Sequence, residues 1–458
     1  MSLRLLIVAT ACAVAALSAA PDGAQAETDV EKLRNEFGQQ LKALQDNYER
    51  RLKELERRDI EKAPAAPALE PARSPATPSS ARSSFNPDIS LVLQGQYLRS
   101  KDIDDRHITG FIPGGHDHGG ERGLSLGNTE LIVSATIDPY FRGHMTLALA
   151  PDGGAEVEEA WFRTLGLGSG LSLKGGRFLS GIGYINEQHP HAWDFADQNL
   201  MYQALFGEHL VQDGVQLTWL APTETFLEFG VEAARGQFFP GSDDGANRNG
   251  PGAWAAFAKV GGDVGASHSW RAGLNYFVAQ PRAREAHLED VSGTEGLAGF
   301  TGDSKTWIVD FIWKWAPQGN PTRQNVKVQA EYFRRNENGE LGCADNTADG
   351  GACTGLADGY GARQSGWYLQ GVYQFMPRWR MGYRYDRLDS GNVSFGSIRL
   401  ATEDYRPSRH SLMADYSFSE FSRFRMQVAR DRSMLGITDN QVWLQYIHSL
   451  GAHGAHRF

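Results

Sequence analysis

Beyond its first 20 residues the chain has no apolar run approaching the roughly 18 to 20 residues that a membrane-spanning helix requires. Gly, Lys or Asp interrupts the longest candidates every few positions. A helical membrane protein is therefore excluded. Cysteine is scarce too: Cys12, Cys343 and Cys353 are the only three. Cys12 lies in a segment expected to be removed, and the remaining pair in an exported chain suggests one disulfide. Nor is this the composition of a disordered chain, since 41% of the 458 residues are hydrophobic and 11% aromatic, beside 52 Gly. What spans a bilayer without long apolar runs is a β-barrel, because each strand shows lipid only every second side chain.

Residues 1–26 read as a secretory signal, with Arg4 in the positive region, an apolar stretch over 5–17 and Ala24-Gln25-Ala26 before the cleavage point. A membrane anchor is excluded because the stretch is short and is followed by Pro21, Asp22 and Gly23. Over 27–62 the composition turns charged, with apolar residues at Val30, Leu33, Phe37, Leu41, Leu44, Tyr48, Leu52 and Leu55. Their spacing is an 11-residue repeat, which holds one stripe on a nearly straight helix and predicts a short coiled coil. A lone solvated helix is the alternative, disfavoured because isolated helices are marginal in water. Residues 63–85, rich in Pro, Ala and Ser, predict an extended linker.

From 86 to 458 the period becomes two. Trp307, Val309, Phe311, Trp313 and Trp315 share one parity against Thr306, Asp310 and Lys314, and Trp379, Met381, Tyr383 and Tyr385 oppose Arg380, Arg384 and Asp386. Sixteen strands are predicted, near 87–98, 124–137, 141–150, 155–164, 171–181, 211–220, 224–235, 252–262, 267–280, 304–316, 322–336, 364–376, 378–389, 406–418, 420–432 and 440–451. Connections after even-numbered strands are tight. Most of those after odd-numbered strands are long and polar, at 99–123, 182–210, 236–251, 281–303, 337–363 and 390–405. Short turns on one side and long loops on the other are the asymmetry of outer-membrane barrels, and a soluble sandwich has no reason to sort its loops so. The expected fold is all-β, a 16-stranded antiparallel transmembrane barrel with a wet lumen behind a helical coiled coil, in the bacterial outer membrane.

Signal, coiled coil, linker and barrel together resemble the phosphate-selective porin O and P superfamily. Closer stretches resemble its zinc-regulated outer-membrane porin or receptor branch: Phe85-Asn86-Pro87-Asp88-Ile89-Ser90-Leu91, Gly123-Leu124-Ser125-Leu126-Gly127-Asn128-Thr129-Glu130-Leu131, and the ending Leu450 to Phe458 with its terminal aromatic. The resemblance implies a passive, trimeric channel in contact with outer-membrane lipid. An energised receptor is not implied, because only the coiled coil and linker precede the first strand, with no plug domain.

Candidate chemistry lies in loops and lumen. His189 and His191, with Asp194, sit in the third long loop, and His116 and His118 in the first. Imidazole and carboxylate suit zinc, so these are the candidate metal residues, with transient Zn2+ contact during permeation and no cofactor required. In sixteen-stranded porins the third loop commonly folds into the channel, which would put His189, His191, Asp194, Asp197 and His209 at a constriction. Arg378, Arg380, Arg384, Arg423 and Arg425 take the polar parity and are the candidate pore-lining residues. Residues 27–62 carry net −1 and 63–85 net +1, so the barrel holds the whole −10, which favours cations if it faces the pore. The expected function is passive diffusion of small solutes, with a cation or zinc bias as the sharper form. A phosphate or other anion-selective porin, or an outer-membrane tether working through the coiled coil, stays open beside it. Gly123-Leu124-Ser125-Leu126-Gly127 matches a nucleophile elbow but opens an alternating strand, and without a nucleophile, base and orienting residue no enzyme is expected. No nucleic-acid partner is expected.

Overall fold

The computed structural model describes residue 42 and residues 87–103, 106–111, 120–149, 154–289, 295–343, 357–395 and 404–451. The expected signal, coiled coil and linker lie outside the described residues apart from Lys42, as do His116, His118, the side chains of Cys343 and Cys353, and the ending 452–458.

Alternation of apolar and polar residues gives one antiparallel sheet of eighteen segments. Two pairs of segments are halves of single wall strands, which leaves sixteen walls. The strands are β1 (Asp88–Arg99), β2 (Gly123–Leu126, then Thr129–Thr136), β3 (Phe141–Leu149), β4 (Ala155–Thr164), β5 (Leu171–Leu179), β6 (Val211–Leu220), β7 (Phe226–Ala234) and β8 (Ala253–Val264). They continue with β9 (His268–Ala279, then Arg284–Glu289), β10 (Glu295–Trp315), β11 (Asn325–Cys343), β12 (Ala357–Met376), β13 (Trp379–Phe395), β14 (Ser408–Ser419), β15 (Ser422–Arg432) and β16 (Asp439–Gly451). Both halves of β2 pair with β1, their register slipping by one residue between Gly95↔Leu126 and Val92↔Glu130. The sheet closes where β1 pairs β16 from Ser90↔Gly451 to Arg99↔Val442, so no edge strand is left.

Outward residues are apolar and exposed, such as Trp307, Val309 and Phe311 on β10 and Phe424, Met426 and Val428 on β15. Such a belt would be an aggregation surface in water and is at home in lipid. Inward neighbours on the same strands, Asp310, Arg425 and Gln427, are buried and polar.

Two expectations need correcting. The loops 281–303, 337–363 and 390–405 are shorter than expected, because β10, β11, β12 and β13 run to 21, 19, 20 and 17 residues. Only about 9 to 11 residues cross a bilayer. Their upper halves therefore project beyond it, held by register that continues to Ala298↔Cys343 and Gly342↔Ala357. The lumen, moreover, is not wet throughout. Phe257, Phe277, Ile308, Phe333, Tyr368 and Leu388, on β8 to β13, belong to one buried apolar cluster with the loop that enters the barrel.

Candidate functional site

That loop spans 180–210, between β5 and β6. Gly183, with φ of +66°, sets a turn in which any side chain would strike the Tyr202 hydroxyl. Pro190 opens a 3-10 turn over Pro190–Ala192. Helix α1 (Leu200–Phe206) is capped by Asn199, whose side chain accepts from the Tyr202 amide at 3.0 Å. All seven helix residues are buried. Tyr202 meets Phe333 edge-on at 5.2 Å and Phe206 meets Phe277 at 6.1 Å, so one side of the lumen is filled by dry packing.

Polar wall residues fasten the loop on every side. Glu331 on β11 accepts four donors: Tyr202 hydroxyl at 2.9 Å and Tyr184 N–H at 3.3 Å on Oε2, Tyr368 hydroxyl at 2.6 Å and Ile185 N–H at 3.1 Å on Oε1. Glu232 on β7 accepts from Ser180 Oγ at 2.6 Å and Gly181 N–H at 2.8 Å. The candidate arginines meet the same loop. Arg384 donates to Asp197 Oδ1 at 2.8 Å, Arg423 to the His191 carbonyl at 2.7 Å, and Arg425 to the Phe195 carbonyl at 2.7 Å. Arg380 bridges Asp194 and Asp415. These four face inward, but they hold the loop and do not form a free anion ladder. Arg378 stands apart in the turn between β12 and β13, exposed, with φ of +71°.

The proposed metal residues separate. Asp194 is held by Lys327, Arg380 and Gln370 on β11 to β13. Burial opposes its charge, but Lys327 and Arg380 overcome that and hold its carboxyl well below the usual range. Asp197 is likewise lowered against burial by Arg409 and Arg384. A carboxylate so engaged with cations is not placed to join the histidines, which correct the set by turning to the β2–β4 wall. There His189 and His191 stack, ring centroids 5.9 Å apart. His189 Nδ1 lies 3.2 Å from Glu158 and 3.5 Å from Glu130, and its Nε2 lies 3.0 Å from Glu159. His191 Nδ1 lies 3.1 Å from Glu130. Burial works against a charged His189, yet Glu130 and Glu158 raise it well above its ordinary value. His209, half-buried in the same loop, is lowered by desolvation.

The three glutamates were not picked out from the sequence, although a signal was there. Between β3 and β4 the register passes from Thr146↔Glu159 to Leu147↔Val157, which leaves Glu158 as the extra residue of a bulge. A bulge re-aims one side chain, so the adjacent Glu158 and Glu159 both reach His189. The break in alternation at 158–159 was its trace.

Opposite the apolar filling, a cleft remains between the loop and β14 to β16, β1 and β2. Gln94, Gln96, His107, Glu208, Arg409, Asp431 and Gln441 line it. Arg106 and Arg409 there are paired with Asp439, and with Asp197 and Asp431. Residues 106–111 of the first loop dip inward beside it, Thr109 N–H reaching the Ser433 carbonyl at 3.1 Å and Gln364 reaching the Gly110 carbonyl at 2.6 Å.

A closed barrel of sixteen strands, apolar outside and bridged inside by its third long loop, defines an outer-membrane barrel of the porin type, and the bacterial outer membrane is its location. An uncharacterized protein of Aquifex aeolicus is 31% identical over 397 residues, covering 82% of this chain and 80% of that one. The chain belongs to the same family as that protein. No family model matches the chain. Among solved structures, in-vitro folded OmpT in its trimer form, an outer membrane protein of Vibrio cholerae, aligns with a TM-score of 0.50 at 12% identity, covering 80% of this chain and 99% of that one. A loop L8 deletion mutant of OmpT aligns with a TM-score of 0.50 at 13% identity over the same shares. At such identities the likeness is one of fold.

Proposed function

We propose that the chain is a passive outer-membrane channel for small hydrated solutes, non-enzymatic and trimeric, with a preference for cations. The carrying observation is the polar cleft left between the inward-folded third loop and the β14–β16 wall, inside a barrel whose β8–β13 side is filled by apolar packing. The cation preference is supported by the arginines. Arg380, Arg384, Arg409, Arg423 and Arg425 are engaged by carboxylates and loop carbonyls, while Glu208 lines the cleft, its carboxyl raised to about 7 by burial and by the neighbouring Glu158 and Asp197. A phosphate-selective channel would want those guanidinium groups uncommitted. Membership of the porin O and P superfamily and of its zinc-regulated branch, the trimer-forming coiled coil at 27–62 and the linker at 63–85 belong to the same proposal.

Purified protein in planar bilayers tests it. The expected result is small, steady conductance steps, with a reversal potential under a potassium chloride gradient on the cation side. Absence of conductance overturns the channel, and an anion-side potential overturns the preference.

A further inference from the structure

We propose that Glu130, Glu158 and His189 form a divalent transition-metal site that latches the third loop to the β2–β4 wall. This differs from a permeation contact in its residues and in its role: the ion is resident, and it joins three separate segments of chain. It does not depend on whether the barrel conducts.

Four observations converge on it. One donor atom from each of the three residues lies within 4.8 Å of the other two. Two of those edges, His189 Nδ1 to Glu158 Oε2 at 3.2 Å and to Glu130 Oε2 at 3.5 Å, bracket the edge of about 3.3 Å expected around an ion with bonds of about 2.0–2.1 Å. Glu130 Oε2 is fully buried and makes no hydrogen bond of good geometry, lying 3.1 Å from His191 Nδ1 and 3.5 Å from His189 Nδ1, between the two imidazoles. A buried carboxylate oxygen left so is costly and calls for a cation.

The other two observations concern how the ligands are held. His189 turns Nδ1 to the proposed ion and Nε2 to Glu159 at 3.0 Å, the carboxylate–imidazole–metal relay by which a ligating histidine is oriented. Glu159 is itself fixed by Trp161 Nε1 at 3.1 Å and Leu179 N–H at 3.1 Å. The bulge at Glu158 supplies the second carboxylate, which regular alternation would have turned to lipid. One imidazole nitrogen with carboxylate oxygens suits zinc, cobalt or manganese, whereas calcium prefers six to eight oxygens.

The test uses the full folded protein in detergent, stripped with chelator and titrated separately with Zn2+ and Co2+, with Ca2+ and Mg2+ as comparisons. Calorimetry should give one tight transition-metal site per chain, and bound Co2+ should show visible absorption of a mixed nitrogen and oxygen site. His189→Ala and Glu130→Gln should each weaken that site more than tenfold, and Glu159→Gln, which removes only the relay, by about 10- to 100-fold. His410→Ala, on the outer face, should leave it unchanged. Heat-modifiable electrophoresis confirms that each variant still forms the barrel; if Glu130→Gln does not, Glu158→Gln replaces it. Loss of protease sensitivity within 180–210 on adding Zn2+ is the expected sign of the latch. Equal affinity in His189→Ala and in the unaltered chain, or no tight transition-metal site, overturns the proposal.

Discussion

Replacing Glu331 by Gln isolates the fastening of the third loop without changing the size of any side chain. The carboxylate of Glu331 accepts two donors on each oxygen, one tyrosine hydroxyl and one backbone N–H apiece. An amide keeps one accepting oxygen and turns an NH2 group toward the other pair. The tyrosine hydroxyl there can rotate and accept from it, but a backbone N–H cannot. The least loss is thus one buried N–H without an acceptor, about 1–3 kcal/mol.

That raises the population of detached loop by roughly 5- to 150-fold. The barrel wall should survive, because the ladder from Val309↔Tyr332 to Phe311↔Ala330 does not use the side chain. Two readouts follow. Proteolysis within 180–210 should accelerate by at least fivefold, and single-channel conductance should rise or become noisy as the loop leaves the lumen. If both the cleavage rate and the conductance of Glu331→Gln match the unaltered protein, the loop is not held by this carboxylate.

Three further outcomes are expected. An added side chain at Gly230 on β7 collides with the Phe257 ring, so Gly230→Leu should cost about 1–3 kcal/mol by overpacking; a lower unfolding midpoint, restored in part by Phe257→Ala, checks it. Because Asp194 and Asp197 both have lowered folded-state values, their contribution is complete above the unfolded value of about 3.9 and is lost only as pH falls through the folded values. Loop protection should therefore persist at pH 5 and fail only in stronger acid, and release between pH 6 and 5 would contradict the assignment. Cys343 and Cys353 are expected to be oxidised in the exported chain, and two reactive thiols in denatured, unreduced protein would refute the bridge.

The barrel was legible because its signal is local and repeated. Trp307, Val309 and Phe311 face lipid by a rule that needs no partner, and sixteen strands with their alternating short and long connections follow from it, whereas the entering third loop was expected only from the resemblance to sixteen-stranded porins. The filling of the lumen was not legible by the same rule. Ile308 stands on the parity that carries Thr306 and Asp310, and nothing adjacent in sequence says that Tyr202, Leu205 and Phe206 will arrive to cover it. The long upper halves of β10 to β13 were hidden similarly, since Gly-, Asn- and Glu-rich stretches such as 336–342 look like loops until a neighbour supplies the ladder.

The site shows the same division in sharper form. His189-Pro190-His191 was visible because its spacing is local, and Asp194 was attached to it because it is near in sequence. In the fold, three residues beyond His191 is enough for the chain to cross from the β2–β4 wall to Lys327 and Arg380, so proximity along the chain misassigned the carboxylate. The partners that do meet the imidazoles come from 30 to 61 residues upstream. Only one of the two routes that bring them left a mark: the bulge writes itself as adjacent acids at 158–159, while Glu130 sits on its strand like any inward residue. Loop-borne chemistry in a barrel is therefore better sought in irregularities of wall alternation than in clusters within the loop, because the wall fixes which charges the loop will find.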